Sequence, residues 1–194
     1  RHVLFRSVYS DIGIRRAGSC GVRSIEHGNF LTDETAKLMA EREAHLVPTL
    51  ITYEADAIYG MGFGWSEENQ EKNAEVLASG LKSLEVALKN GVNVGYGTDL
   101  CWSPKSYQAD GLLIHQKVCG AAEALRHATV NNAKVIRMEG KVGVIAEGAF
   151  ADLVVVDANP LAGLECFAQE ENRVVAVLQS GRPVRDDAGL LTAA

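Results

Sequence analysis

Short apolar runs alternate with longer amphipathic stretches over the first two thirds of the chain. Val3–Val8, Val22–Glu26, Leu46–Leu50 and Val92–Gly95 are each too short and too apolar for half-exposed hairpin strands, so they are expected as strands buried on both faces of a parallel sheet. The segments between them carry helix punctuation. Thr32 is placed to cap a helix over Asp33–Ala44, with Asp33 and Glu34 in a first turn that favours negative charge. Ser66 is placed to cap a long helix over Glu67–Lys89, which the pair Asn90-Gly91 closes. A further helix is expected over Ala121–Arg137, where Ala124, Leu125, Ala128, Val135 and Ile136 fall near one face. Strand and helix in alternation predict βα units of an α/β fold.

After Met138 the pattern changes. VGVIAEGAFADLVVVDANP reads as strand, Glu-Gly turn, strand, and RVVAVLQSGRPV repeats that arrangement about a Ser-Gly turn, so an antiparallel β element is expected to follow the βα units. Residues 1–138 and 139–187 are thus expected as two structural units, with 188–194 as a tail. Asp152, Pro160 and Gly181 read as structural and turn residues of the second unit. The segment Thr52–Trp65, with Tyr53, Tyr59, Met61, Phe63, Trp65 and three glycines, reads as a long loop following a strand. In a βα architecture such a loop lies on the face that contacts substrate, and Tyr53, next to the strand end, is the candidate contact.

Composition narrows the function classes. Forty-seven per cent of the 194 residues are hydrophobic, ample for a core. Lys plus Arg number 19 against 25 Asp plus Glu, a net charge of −6 with no basic block, which argues against nucleic acid as a partner. No apolar run approaches the roughly 18 residues a bilayer span needs, so neither a membrane partner nor a signal peptide is expected, and a cytoplasmic location follows as the default. Cys20, Cys101, Cys119 and Cys166 are scattered and read as reduced thiols. The chain starts at Arg1 and runs straight into Val3-Leu4-Phe5, which reads as a piece of a longer protein.

Two strand ends carry candidate chemistry. In Ser24-Ile25-Glu26-His27-Gly28 an apolar strand stops at a histidine, where imidazole is a common metal ligand. In Val94-Gly95-Tyr96-Gly97-Thr98-Asp99 another stops at glycines and an acid, able to bind a metal or take a proton from water. Their separation leaves room for two βα units with Leu46–Leu50 as the intervening strand, which puts both residues on one face of the sheet. The other histidines read differently: His45 lies at the start of a strand, away from that face, and His115 and His127 fall in helical sequence as structural or surface groups.

The ordered runs GVRSIEHGNFLTDETAKLM, VPTLITYEA, GVNVGYGTDL, EALRHATVNNAKVI, KVGVIAEGAFADLVVVDANPL and VLQSGRP resemble the amidohydrolase superfamily along nearly the whole chain, within it the imidazolonepropionase-like and Xaa-Pro dipeptidase-like hydrolases. The resemblance implies the C-terminal part of a (β/α)₈ barrel, about strands five to eight, followed by part of a small β domain. It implies a divalent metal, zinc above all, and hydrolysis of a carbon–nitrogen bond in a small-molecule substrate such as a dipeptide or acyl-amino acid. His27 matches the strand-six metal ligand. Asp99 matches the strand-eight ligand, which doubles as general base. Ser7 occupies the expected strand-five histidine position, and its hydroxyl is a poorer ligand than imidazole; His2 lies out of register with it. The strand-one His pair and the middle-strand Lys or Glu have no counterpart here, so the metal site is expected to be incomplete in this chain. The alternative is a catalytically incompetent half barrel that self-associates through its open sheet edges, making a homo-oligomer.

Overall fold

A computed structural model describes residues 5–101, 105–189 and 191. His2 and the first two residues of the expected Val3–Val8 strand lie outside the described residues, as does part of the 188–194 tail. Four strands, β1 (Phe5–Val8), β2 (Ser24–His27), β3 (His45–Val47) and β4 (Asn93–Val94), form one parallel sheet in the order of the chain. Helices α1 (Asp11–Ser19), α2 (Asp33–Glu41), α3 (Leu50–Tyr59) and α4 (Glu67–Lys89) make the crossovers. Ser10, Thr32 and Ser66 each accept a hydrogen bond from the backbone N–H three residues on, which satisfies a donor that the first helical turn leaves free. After α4 come α5 (Gly111–Cys119), α6 (Ala121–Arg126), a π turn (His127–Asn131) and α7 (Asn132–Val135). A second, antiparallel sheet holds β5 (Leu153–Val156), β6 (Val174–Gln179) and β7 (Arg182–Asp186). No helix among the described residues is long and apolar enough to cross a membrane.

The pairing register gives the parallel sheet two distinct faces. Arg6, Ile25 and Leu46 are aligned across neighbouring strands, with Val94 beside Leu46. Ile25, Leu46 and Val94 are almost wholly buried there against Ile14, Met39, Leu84 and Ala87 from the helices. Each such side chain contributes about 1.5–3 kcal/mol relative to exposure. Ser7, Glu26 and Val47 are aligned on the opposite face, which borders a cavity that Val135 of α7 and Ile136 also line. The expected burial on both faces therefore fails at β1: Phe5 is 63% exposed, and β1 is an edge strand with β2 as its only partner among the described residues.

Other expectations are corrected. Thr52–Trp65 is helical: α3 runs through its first half, burying Leu50, Ile51, Tyr53 and Ala55, and a 3₁₀ turn over Gly60–Phe63 follows. The aromatics and glycines disguised an amphipathic segment whose breakers all lie beyond Tyr59. The expected Ala121–Arg137 helix is interrupted by the π turn, and α2 stops at Glu41. The VGVI stretch is no strand. Gly143 lies at φ +73°, and a Cβ there would fall 2.6 Å from the backbone of Thr129, so this segment packs onto the π turn and leaves β5 to pair with β6. The Ser-Gly turn is present: Ser180 and Gly181 both have positive φ, as a tight two-residue hairpin requires.

The two sheets are bridged through α5. The Gln116 amide donates to Glu165 Oε1 and accepts from the Leu164 N–H, while Leu164 is buried with Leu112 and Ala124. His115, His127 and His45 are buried rather than at the surface.

Candidate functional site

Three strand ends converge on an open cavity of about 670 Å³ at that second face of the parallel sheet. Ser7, Ser24, Glu26, His27, Thr49, Thr98 and Asp99 are among its lining residues. His27, Thr49 and Asp99 all have left-handed backbones, with φ of 74°, 34° and 52°. Such conformations are uncommon for residues other than glycine and recur where a turn aims a side chain into a site.

His27 is buried, and its Nδ1 lies 2.8 Å from the Thr49 hydroxyl, which leaves Nε2 for any further contact. Tyr9 stacks on its ring at a centroid distance of 4.7 Å. Burial holds the imidazole below its usual pKa, and the negative charge of Asp99 opposes that shift without cancelling it. The shift favours the neutral His27 ring, the form that ligates metals. Glu26 is pushed above the usual carboxyl range by burial and by Asp99, against a hydrogen bond from Ser24. The Asp99 backbone carbonyl accepts from the Thr52 hydroxyl, which ties the end of β4 to α3.

Of the residues expected at the site, Ser7, His27 and Asp99 line this one cavity. Tyr53 does not. Its hydroxyl donates to Asn29 Oδ1 at 3.1 Å in the interior, and its ring lines a neighbouring cavity of about 460 Å³ with Tyr9, Asp56, Trp65, Lys72 and Asn73. Asp99 and Cys101 border that second cavity too. Glu26 and Thr49 were not singled out in the sequence. Glu26 sits two residues from Ser24 in strand alternation and shares its face, a signal that was available. Nothing local marks Thr49.

The fit to a metal can be tested on the donors themselves. Among the described residues no group of three or more His, Cys, Asp or Glu side chains is placed to hold an ion. His27 and Asp99 are two donors, where zinc takes three or four protein ligands. The described residues alone supply fewer donors than a zinc site needs.

Residues 9–184 match the amidohydrolase family. The chain belongs to that family. The match begins two residues after Ser7, so it does not bear on that position. A solved prolidase, complexed with N-methylphosphonate-L-proline, superposes on this amidohydrolase chain with a TM-score of 0.88 at 44% identity, covering 94% of this chain and 45% of the prolidase. The ochratoxinase of Aspergillus niger is 27% identical over 176 residues, which are 90% of this chain and 36% of that protein. A 5-methylthioadenosine/S-adenosylhomocysteine deaminase of Syntrophobacter fumaroxidans is 29% identical, covering 86% of this chain and 38% of that protein. The chain thus spans less than half the length of these relatives.

Proposed function

We propose that this chain carries part of the active site of a metal-dependent hydrolase of carbon–nitrogen bonds, acting on a dipeptide or acyl-amino acid. The observation that supports it most is the convergence of His27 and Asp99 on one cavity in a chain 44% identical to a prolidase. In this reading the four parallel strands are strands five to eight of a (β/α)₈ barrel, residues 1–138 belong to the barrel, and 139–187 belong to the small β domain. His27, oriented by Thr49, and Asp99 are two ligands of a zinc site whose other ligands come from the remainder of the whole protein. An ion held there in the whole protein would supply a water of lowered pKa. Asp99 would serve as the base for that water and pass the proton on to the leaving amine.

The test is metal content of the whole protein by elemental analysis, with turnover of Xaa-Pro dipeptides, in the wild type, His27→Ala and Asp99→Asn. Near-stoichiometric metal that falls in His27→Ala, and a loss of roughly 10²–10⁴-fold in kcat in Asp99→Asn, support the reading. A wild-type protein that carries metal and cleaves no carbon–nitrogen bond in dipeptides or acyl-amino acids overturns it.

A second reading concerns the chain by itself. Phe5 and the side of β1 that no strand among the described residues pairs favour self-association through that edge, making the isolated piece a catalytically incompetent oligomer. A monomer by light scattering at micromolar concentration would sink it.

A further inference from the structure

Helix α5 and the π turn carry two histidines that the catalytic reading leaves unused. Both are buried, and Nδ1 of His115 lies 2.9 Å from Nδ1 of His127. Two ring nitrogens at that distance share one proton, because two lone pairs repel and two N–H groups collide. One ring is then the Nδ1–H tautomer and the other the Nε2–H tautomer. The Glu123 carboxylate stands 3.6 Å from His127 Nε2, beyond hydrogen-bond reach but near enough to favour Nε2–H on His127, with His115 the donor between the rings. Both Nε2 atoms are buried without a hydrogen-bond partner, a setting that disfavours a charged ring on either side.

The groups facing the pair reinforce its neutral state. Tyr96, beyond β4, presents its ring to His115 at 5.4 Å, and its hydroxyl bonds the Gln108 carbonyl. The Cys119 thiol of α5 is held on the His115 carbonyl. Glu123 and Arg126 of α6 pair with each other. Glu165, from a second 3₁₀ turn over Leu164–Phe167 that lies against α5, is engaged by Gln116, and Asp110 accepts from the Gln169 N–H. Burial drives His115 down to about 3 and His127 down to about 4, and the positive charge of Arg126 pushes His127 the same way.

The π turn that holds His127 delivers two consecutive asparagines to one strand edge. Successive side chains of a regular α-helix diverge by about 100°. Here Asn131 Nδ2 donates to the Val94 carbonyl at 2.9 Å, while Asn132 accepts from the Tyr96 N–H at 2.9 Å and donates to the Tyr96 carbonyl at 2.8 Å. Those groups lie on the side of β4 away from β3, and the next residues are Gly97, Thr98 and Asp99. We propose that the neutral His115–His127 pair is a positioning device for Asp99: it locks the π turn, the π turn aims the asparagine clamp, and the clamp holds the strand end from which Asp99 enters the cavity. Its consequence for catalysis rests on the reading of Asp99 given above; the mechanical linkage does not.

The linkage is tested without turnover. In the whole protein labelled with ¹⁵N-histidine, two-bond ¹H–¹⁵N correlation reports both tautomers, and hydrogen exchange reports the amides of 94–99. The expected result is one Nδ1–H ring and one Nε2–H ring at pH 7, neither titrating near 6.5. His127→Gln should speed exchange over 94–99 by about tenfold or more and leave 24–27 unchanged. Asn132→Ala should speed the same exchange while both tautomers persist. Ordinary titration of either ring, or exchange over 94–99 indifferent to His127→Gln, overturns the proposal. Should that variant fail to fold, acidification of the wild type decides: loss of protection over 94–99 ahead of global unfolding supports the linkage, and loss only with global unfolding overturns it. In turnover, His127→Gln should lower kcat with KM little changed and should raise the pH at which the acid limb of the profile begins. A whole protein with no hydrolase activity refutes the function proposed above and leaves the exchange result standing.

Discussion

The two faces of the parallel sheet come from the same short strands and answer to different demands. One face carries Ile25, Leu46 and Val94 and is sealed by helices. The other carries Ser7, Ser24 and Glu26 beside Phe5 and Val47, and opens on the cavity that His27 and Asp99 share. A strand alternates its side chains, so Ser24, Ile25 and Glu26 alternate between the open face and the packed one, and the left-handed backbone at His27 brings the next side chain back to the cavity. The sheet stays intact although its polar face opens on a cavity, because the helices on the other side supply most of the apolar contact.

The largest effect that would break this contrast is a cavity in the sealed face. Leu46→Ala should cost about 2–5 kcal/mol in chemical denaturation, the range for a fully buried leucine. Next comes Gly143→Ala, which meets both a positive φ and the Thr129 backbone and should cost about 1–3 kcal/mol in the same assay. Tyr53→Phe leaves Asn29 Oδ1 without its donor in the interior and should cost about 1–2 kcal/mol. Acid sharpens the contrast from within. His115 and His127 titrate lower folded than unfolded, so the unfolded chain takes up their protons first. Their contribution to stability is complete above about 6.5 and is lost as the pH falls from there towards about 4, which denaturation midpoints at several pH values would follow. Smallest of all, Ser7→Ala on the open face should stay within about 0.5 kcal/mol of wild type. Ser7→His should be comparably quiet in stability while raising zinc affinity of the whole protein in equilibrium dialysis. Unchanged affinity would remove Ser7 from the list of ligand positions.

Much of the sealed face was legible in the amino-acid sequence and little of the open one. The strands β2, β3 and β4 announced themselves because buried parallel strands are short apolar runs, and α2 and α4 because Thr32 and Ser66 stand where capping chemistry needs them. α3 was hidden by tyrosines and glycines that read as loop, although its breakers all fall beyond Tyr59. Nothing in VGVI warned that Gly143 serves to approach a helix and not to join a sheet. At the site, His27 and Asp99 stood out because each ends an apolar strand. The partners that set their environment, Glu26 and Thr49, required the register and the turn geometry. The His115–His127 pair could not be seen at all, since twelve residues and a break between helices separate two rings that only the fold brings into contact.

The three left-handed residues at the cavity have a meaning in evolutionary terms. Glycine or asparagine at positions 27, 49 and 99 would relieve backbone strain, most of all at Thr49, whose branched side chain suits that conformation least. Under selection for stability alone these positions would drift towards such residues, and a chain freed from its function should lose them early. If the cavity is the site proposed above, histidine, threonine and aspartate together at those three turns are what selection on the cavity, against the comfort of the backbone that builds it, would leave.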